Sequence, residues 1–132
     1  MGHQLNKKSF TLLEIVLVIV VISVLAGLTL PQFPIVVERV RSSEGVHILT
    51  VLLAAQKRYA MENGGVYSSD PADLDVTIPP SPNFSVPAIK NDPTRLATVT
   101  RSSYNLYTLR IDENGNITCE NSTPPICNRL GY

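Results

Sequence analysis

No block of like charge, no catalytic signature and only two cysteines mark this chain. Its 132 residues carry 11 Lys and Arg against 11 Asp and Glu, for a formal net charge of zero. Neither sign runs in a long block, so the chain lacks the basic footprint that a nucleic-acid backbone requires. A Ser/His/Asp set, a glycine-rich phosphate loop and a His-Glu-x-x-His motif are all missing, and His3 and His47 have no evident catalytic partners. These absences argue against an enzyme. Cys119 and Cys127 lie near the C-terminus, and neither histidine is close enough in sequence to complete a zinc set. A disulfide is the simpler reading, worth about 2 to 3 kcal/mol by loop closure. Such a bridge persists only in an oxidising compartment, which places the C-terminal part outside the cytoplasm.

What the chain does have is concentrated at its start. From Ile15 to Leu30 no residue is charged, and Glu14 is the sole ionisable side chain between Leu12 and Leu30. At a bilayer centre that carboxylate would cost roughly 2.5 to 3.5 kcal/mol, so something must compensate it. Residues 10–30 read as a helix of about 31 Å, close to a hydrocarbon core of about 30 Å. Lys7 and Lys8 abut its start, while Arg39 and Arg41 stand well past its end. That asymmetry puts the N-terminus in the cytoplasm. Pro31 and Pro34 follow, each without a backbone N–H, and predict a kink where the chain leaves the membrane.

Apolar residues return at helical spacing from Ile35 to about Glu62, among them Val37, Val40, Ile48, Val51, Leu52, Ala55 and Tyr59. The pattern predicts an amphipathic continuation of the first helix, one rod of about fifty residues, stopped by Asn63-Gly64-Gly65. Six prolines from Pro71 to Pro93 exclude helix interiors and central strands, leaving an extended loop. Strands are expected over residues 96–100 and 104–111. Asn114-Gly115 should then form a two-residue hairpin turn with positive φ at both positions, returning through Ile117-Thr118-Cys119. Tyr104, Tyr107 and Tyr132 read as sheet packing rather than an adhesive surface. The tail past Asn121 reads as loose except where Cys127 pins it. Asp112-Glu113-Asn114-Gly115-Asn116 resembles a calcium loop in composition, but without a glycine at the sixth position and a later bidentate Glu it reads as a plain turn. The sequons at Asn83, Asn116 and Asn121 likewise read as turn chemistry.

Lys7-Lys8-Ser9-Phe10-Thr11-Leu12-Leu13-Glu14 followed by a Val/Ile/Leu run resembles the class III signal peptide of the type IV pilin and type II secretion pseudopilin superfamily. In that family a basic leader ends at a small residue, cleavage precedes a Phe that becomes N-methylated, and a Glu stands fifth from the new terminus. Ser9, Phe10 and Glu14 occupy those places, Ser9 where the family usually has Gly, and Pro31 sits at the usual helix-loosening position. The resemblance implies an α+β, pilin-like fold with a long N-terminal helix on a small antiparallel sheet and a disulfide-closed C-terminal loop. Its divisions would be a leader at 1–9, a membrane and filament-core half-helix at 10–30, an amphipathic half at 31–63 and a head at 64–132.

It further implies a structural subunit, pilin or pseudopilin, trimmed and methylated by prepilin peptidase, held in the inner membrane with its head in the periplasm, and then polymerised with copies of itself and other pilin subunits on an inner-membrane assembly platform. Membrane lipids surround it before assembly, and Glu14 pairs with the amine of a neighbouring Phe10. No cofactor is implied beyond the weakly suggested calcium. The alternatives are a secretory signal peptide cut after Val24-Leu25-Ala26, and a single-span envelope protein whose periplasmic head binds a ligand without polymerising. The sixteen uncharged residues from Ile15 to Leu30 slightly exceed a signal-peptide core of about 7 to 15.

Overall fold

A computed structural model describes residues 9–29, 33–103, 107–120 and 126–132. The chain divides into two compact units, Met1–Pro34 and Ile35–Tyr132. In the first, α1 runs over Leu12–Thr29. Thr11 caps it: the amide of Glu14 donates to Thr11 Oγ1 at 3.2 Å, which satisfies one of the four N–H groups a helix start leaves over.

The second helix, α2, spans Phe33–Glu62. Pro34 therefore lies in its first turn, where a missing N–H removes no intrahelical bond; Pro31 lies outside the described residues. The buried side of α2 carries Glu38, Ser42, Ile48, Leu49, Leu52, Ala55, Gln56 and Ala60, at the three- and four-residue spacing that one helix face demands. Its end matches the glycine stop: Gly64 and Gly65 have φ of 66° and 89°, and the Gly65 amide closes on Ala60 O at 2.7 Å.

Four strands follow in the order β1-β2-β3-β4, all antiparallel: β1 at Ala88–Ile89, β2 at Ala97–Thr100, β3 at Thr108–Ile111 and β4 at Ile117–Glu120. In β2 and β3 burial alternates, so Ala97, Val99, Leu109 and Ile111 face the core while Thr98, Thr100, Thr108 and Arg110 face outward. Those inward residues form one cluster with Leu49, Leu52, Phe84 and Tyr107. The fold is thus α+β, a long helix packed on a four-stranded antiparallel sheet.

Three local expectations are corrected. The hairpin loop holds five residues rather than two, since Ile111 pairs with Ile117; Asp112 Oδ1 accepts from the amides of Asn114 and Asn116 at 2.9 and 2.8 Å and so builds the larger turn around its own carboxylate. Inside the proline-rich stretch, β1 forms directly after Pro87 as an edge strand, the place where proline is tolerated. The tail contains a short helix, α3, over Ile126–Leu130. The expected strand residues Tyr104 to Leu106 lie outside the described residues, and Tyr107 precedes β3.

Candidate functional site

Ser9 and Phe10 are exposed and stand just ahead of the Thr11 cap. Glu14 is the third residue of α1 and exposed, a position where the partial positive charge of a helix start favours a carboxylate. The Thr-x-x-Glu spacing that marks this start is legible in the sequence. Every large apolar side chain of α1 from Leu12 to Leu28 is between 46% and 83% exposed. Leaving water is worth about 1.5 to 3 kcal/mol for each such side chain, so this surface demands an apolar partner. Ser23 does not spoil it, because its hydroxyl donates to Ile19 O at 2.6 Å on the same helix. With 18 residues, α1 covers about 27 Å. Among the described residues no helix is long and apolar enough to cross a membrane.

The second unit, Ile35–Tyr132, is pinned by a buried ion pair that sequence reasoning missed. Arg101 Nε donates to Glu38 Oε1 at 2.6 Å and the Tyr107 hydroxyl donates to the same oxygen at 3.0 Å. Glu38, Arg101 and Tyr107 are 6%, 4% and 1% exposed. Arg101 also donates from Nη1 to Asn83 O at 2.8 Å, and Arg41 reaches Glu38 Oε2 at 3.2 Å. Burial pushes the Glu38 carboxyl up, but the hydrogen bonds from Arg101, Tyr107 and Arg41 outweigh it and hold the group below its ordinary value. Tyr107 goes the other way: burial, and then the Glu38 carboxylate it bonds to, raise its hydroxyl far above the usual tyrosine range. No pattern in the chain announces a pair separated by 63 positions.

Around this anchor the loops are tied to α2 by polar clasps. Glu44 accepts from Ser81 Oγ at 2.5 Å and Asn83 Nδ2 at 2.7 Å, which holds the proline-rich loop and leaves Asn83 engaged. Gln56 exchanges two bonds with the Ser68 backbone, 2.8 and 2.9 Å. Cys119 and Cys127 form a disulfide, Sγ–Sγ 2.03 Å, joining β4 to α3. Arg39 completes that corner by donating from Nε and Nη2 to Arg129 O at 3.3 and 2.9 Å, satisfying a carbonyl at the end of α3.

The Asp112 loop is occupied by its own chain: besides the two amides, Asn116 Nδ2 donates to Asp112 Oδ2 at 2.8 Å. Those bonds, chiefly from Asn116, lower the Asp112 carboxyl below its ordinary value. Among the described residues no group of three or more His, Cys, Asp or Glu side chains is placed to hold a metal ion. The structure brings Glu14 to the exposed start of α1 and joins Cys119 to Cys127; Asn121 and His3 lie outside the described residues. Comparison with protein-family models, with curated proteins and with solved structures finds no significant match to this chain.

Proposed function

We propose that this chain is a subunit of a type IV filament, a pilin or type II secretion pseudopilin with a pilin-like fold, matured by cleavage between Ser9 and Phe10 and assembled through its N-terminal helix. One observation carries the reading: α1 is apolar all round, carries a single carboxylate at its third residue, begins two residues after Phe10, and belongs to a chain whose remainder folds around its own core. Before assembly, lipid covers α1, helped by residues flanking its 18. In the filament, neighbouring α1 helices replace that lipid, a transfer between two apolar environments in which packing and polar pairing supply the specificity. Glu14 then offsets the new amine of a neighbouring Phe10, and this pair fixes the axial register. The head, locked by Glu38–Arg101 and by the Cys119–Cys127 bridge, stays folded outside the membrane.

The test is the intact mass and N-terminal sequence of the protein recovered from envelope and sheared-filament fractions. A methylated Phe10 terminus is the expected result. An intact leader, or a terminus at Gly27, would overturn the reading in favour of an anchor or a secreted protein.

A further inference from the structure

Two Asn-Gly pairs are present, Asn63-Gly64 and Asn114-Gly115, and the fold treats them differently. Asn-Gly is the dipeptide in which a side-chain amide is most open to attack by the following backbone nitrogen, because glycine puts no side chain in the way. At the second pair that nitrogen is engaged: the Gly115 amide donates to Asp112 O at 3.1 Å. The Asn114 amide is held as well, on Asp112 Oδ1 at 2.9 Å, and a β-carbon at Gly115 would lie 3.6 Å from Leu53 Cδ2. At the first pair both residues are exposed. The amides of Asn63 and Gly65 close the end of α2 on Tyr59 O and Ala60 O at 3.0 and 2.7 Å, whereas the Gly64 amide between them donates to no carbonyl of the described residues. Nothing lies within 4 Å of where a Gly64 β-carbon would stand.

We infer that Asn63 is a modification site, deamidating through a cyclic imide, while Asn114 is protected by its turn. Solvent base removes the Gly64 amide proton and the nitrogen attacks Asn63 Cγ. The N–Cγ bond forms, the Cγ–Nδ2 bond breaks, and Nδ2 leaves as ammonia. Water then opens the imide at either carbonyl, giving Asp or isoaspartate, with no redox partner involved. The site is structurally consequential. Asn63 Nδ2 now donates to Tyr59 O at 2.9 Å; a carboxylate would instead face the negative end of α2. Isoaspartate adds a backbone atom to a segment tied at Gly65 to Ala60 and at Ser68 to Gln56, so the change loosens the end of the helix and the clasp beyond it.

The experiment incubates the full chain in detergent at mildly alkaline pH, folded and in concentrated urea, and follows the Asn63 and Asn114 peptides by mass, with isoaspartyl methylation to identify the branched product. Expected is a several-fold faster conversion at Asn63 than at Asn114 in the folded protein, collapsing to near equality in urea. Conversion at Asn114 as fast as or faster than at Asn63 in the folded protein, or a preference for Asn63 that persists unchanged in urea, would overturn the inference. So would a folded chain that remains unmodified at Asn63 while both peptides convert in urea.

Discussion

Gly45 lies directly beneath the ring of Phe84: a β-carbon at this position would come within 2.8 Å of Phe84 Cζ and 3.0 Å of Leu109 Cδ1. Phe84 is 3% exposed and Leu109 fully buried, so neither can swing away without repacking the core. Only a residue without a β-carbon lets the loop carrying Phe84 settle this close to α2. Gly45→Ala sets about 1 kcal/mol of helix propensity against roughly 1 to 3 kcal/mol of overpacking, and the second wins. A lower urea midpoint of the full chain in detergent is the expected outcome, and a raised midpoint would refute the argument.

Breaking the buried pair from one side should be more damaging than removing it whole. Glu38→Ala strands Arg101 at 4% exposure and is expected to cost about 3 to 5 kcal/mol. Glu38→Leu combined with Arg101→Met takes the acceptor from the buried Tyr107 hydroxyl, at about 1 to 3 kcal/mol, while the half-exposed Arg41 can turn to water and Asn83 O keeps the Ser102 amide. Denaturation of the single and double variants checks the order.

The pair also sets an acid limit. Because the folded carboxyl of Glu38 titrates below its ordinary value of 4.5, its stabilisation is complete above that value and is lost as pH falls through the folded one. Glu44, held low by Ser81 and Asn83, adds to the same limb. Stability measured from neutral pH downward should therefore begin to fall near pH 4.5, and Glu38→Gln should flatten that fall.

Reducing the Cys119–Cys127 bridge, whose partners are 8 positions apart, is expected to cost about 2 to 3 kcal/mol by loop closure. Loosening of α3 should follow, because only the contact of Arg39 with Arg129 O and the packing of Ile126, Cys127 and Leu130 on the core then hold it. Faster hydrogen exchange confined to residues 126–132 would register this, and uniform exchange across β4 and α3 would not.

On the proposed filament assembly, Glu14→Ala should separate assembly from folding. Its side chain is exposed and lies in the unit that ends at Pro34, so the urea midpoint of the head should not move, while recovery of the chain in sheared filaments should drop to background. On the same proposal, Ser9→Leu should act one step earlier and block cleavage before Phe10, because a branched side chain crowds the carbonyl under attack.

What the sequence determined by itself is the content that depends on near neighbours. The apolar run of α1, the three-four rhythm of α2, the glycine stop at Gly64-Gly65 and the strands around Val99 and Leu109 are legible because helix and strand periods are local. The Thr11–Glu14 cap was legible too. Cys119 and Cys127 were readable as a bridge because the alternatives were few.

Tertiary structure decided the rest. Glu38 reads as ordinary polar surface and Tyr107 as plain sheet packing until folding brings Arg101 and Tyr107, 63 and 69 positions further on, around the one carboxylate. Gly45 looks like a flaw in a helix until Phe84 arrives over it, and Asn114 looks as labile as Asn63 until Asp112 gathers the amides of its loop. In each case the deciding quantity is the partner that satisfies, crowds or shields a group, and that partner is chosen by how α2 and the sheet pack, which local pattern does not record.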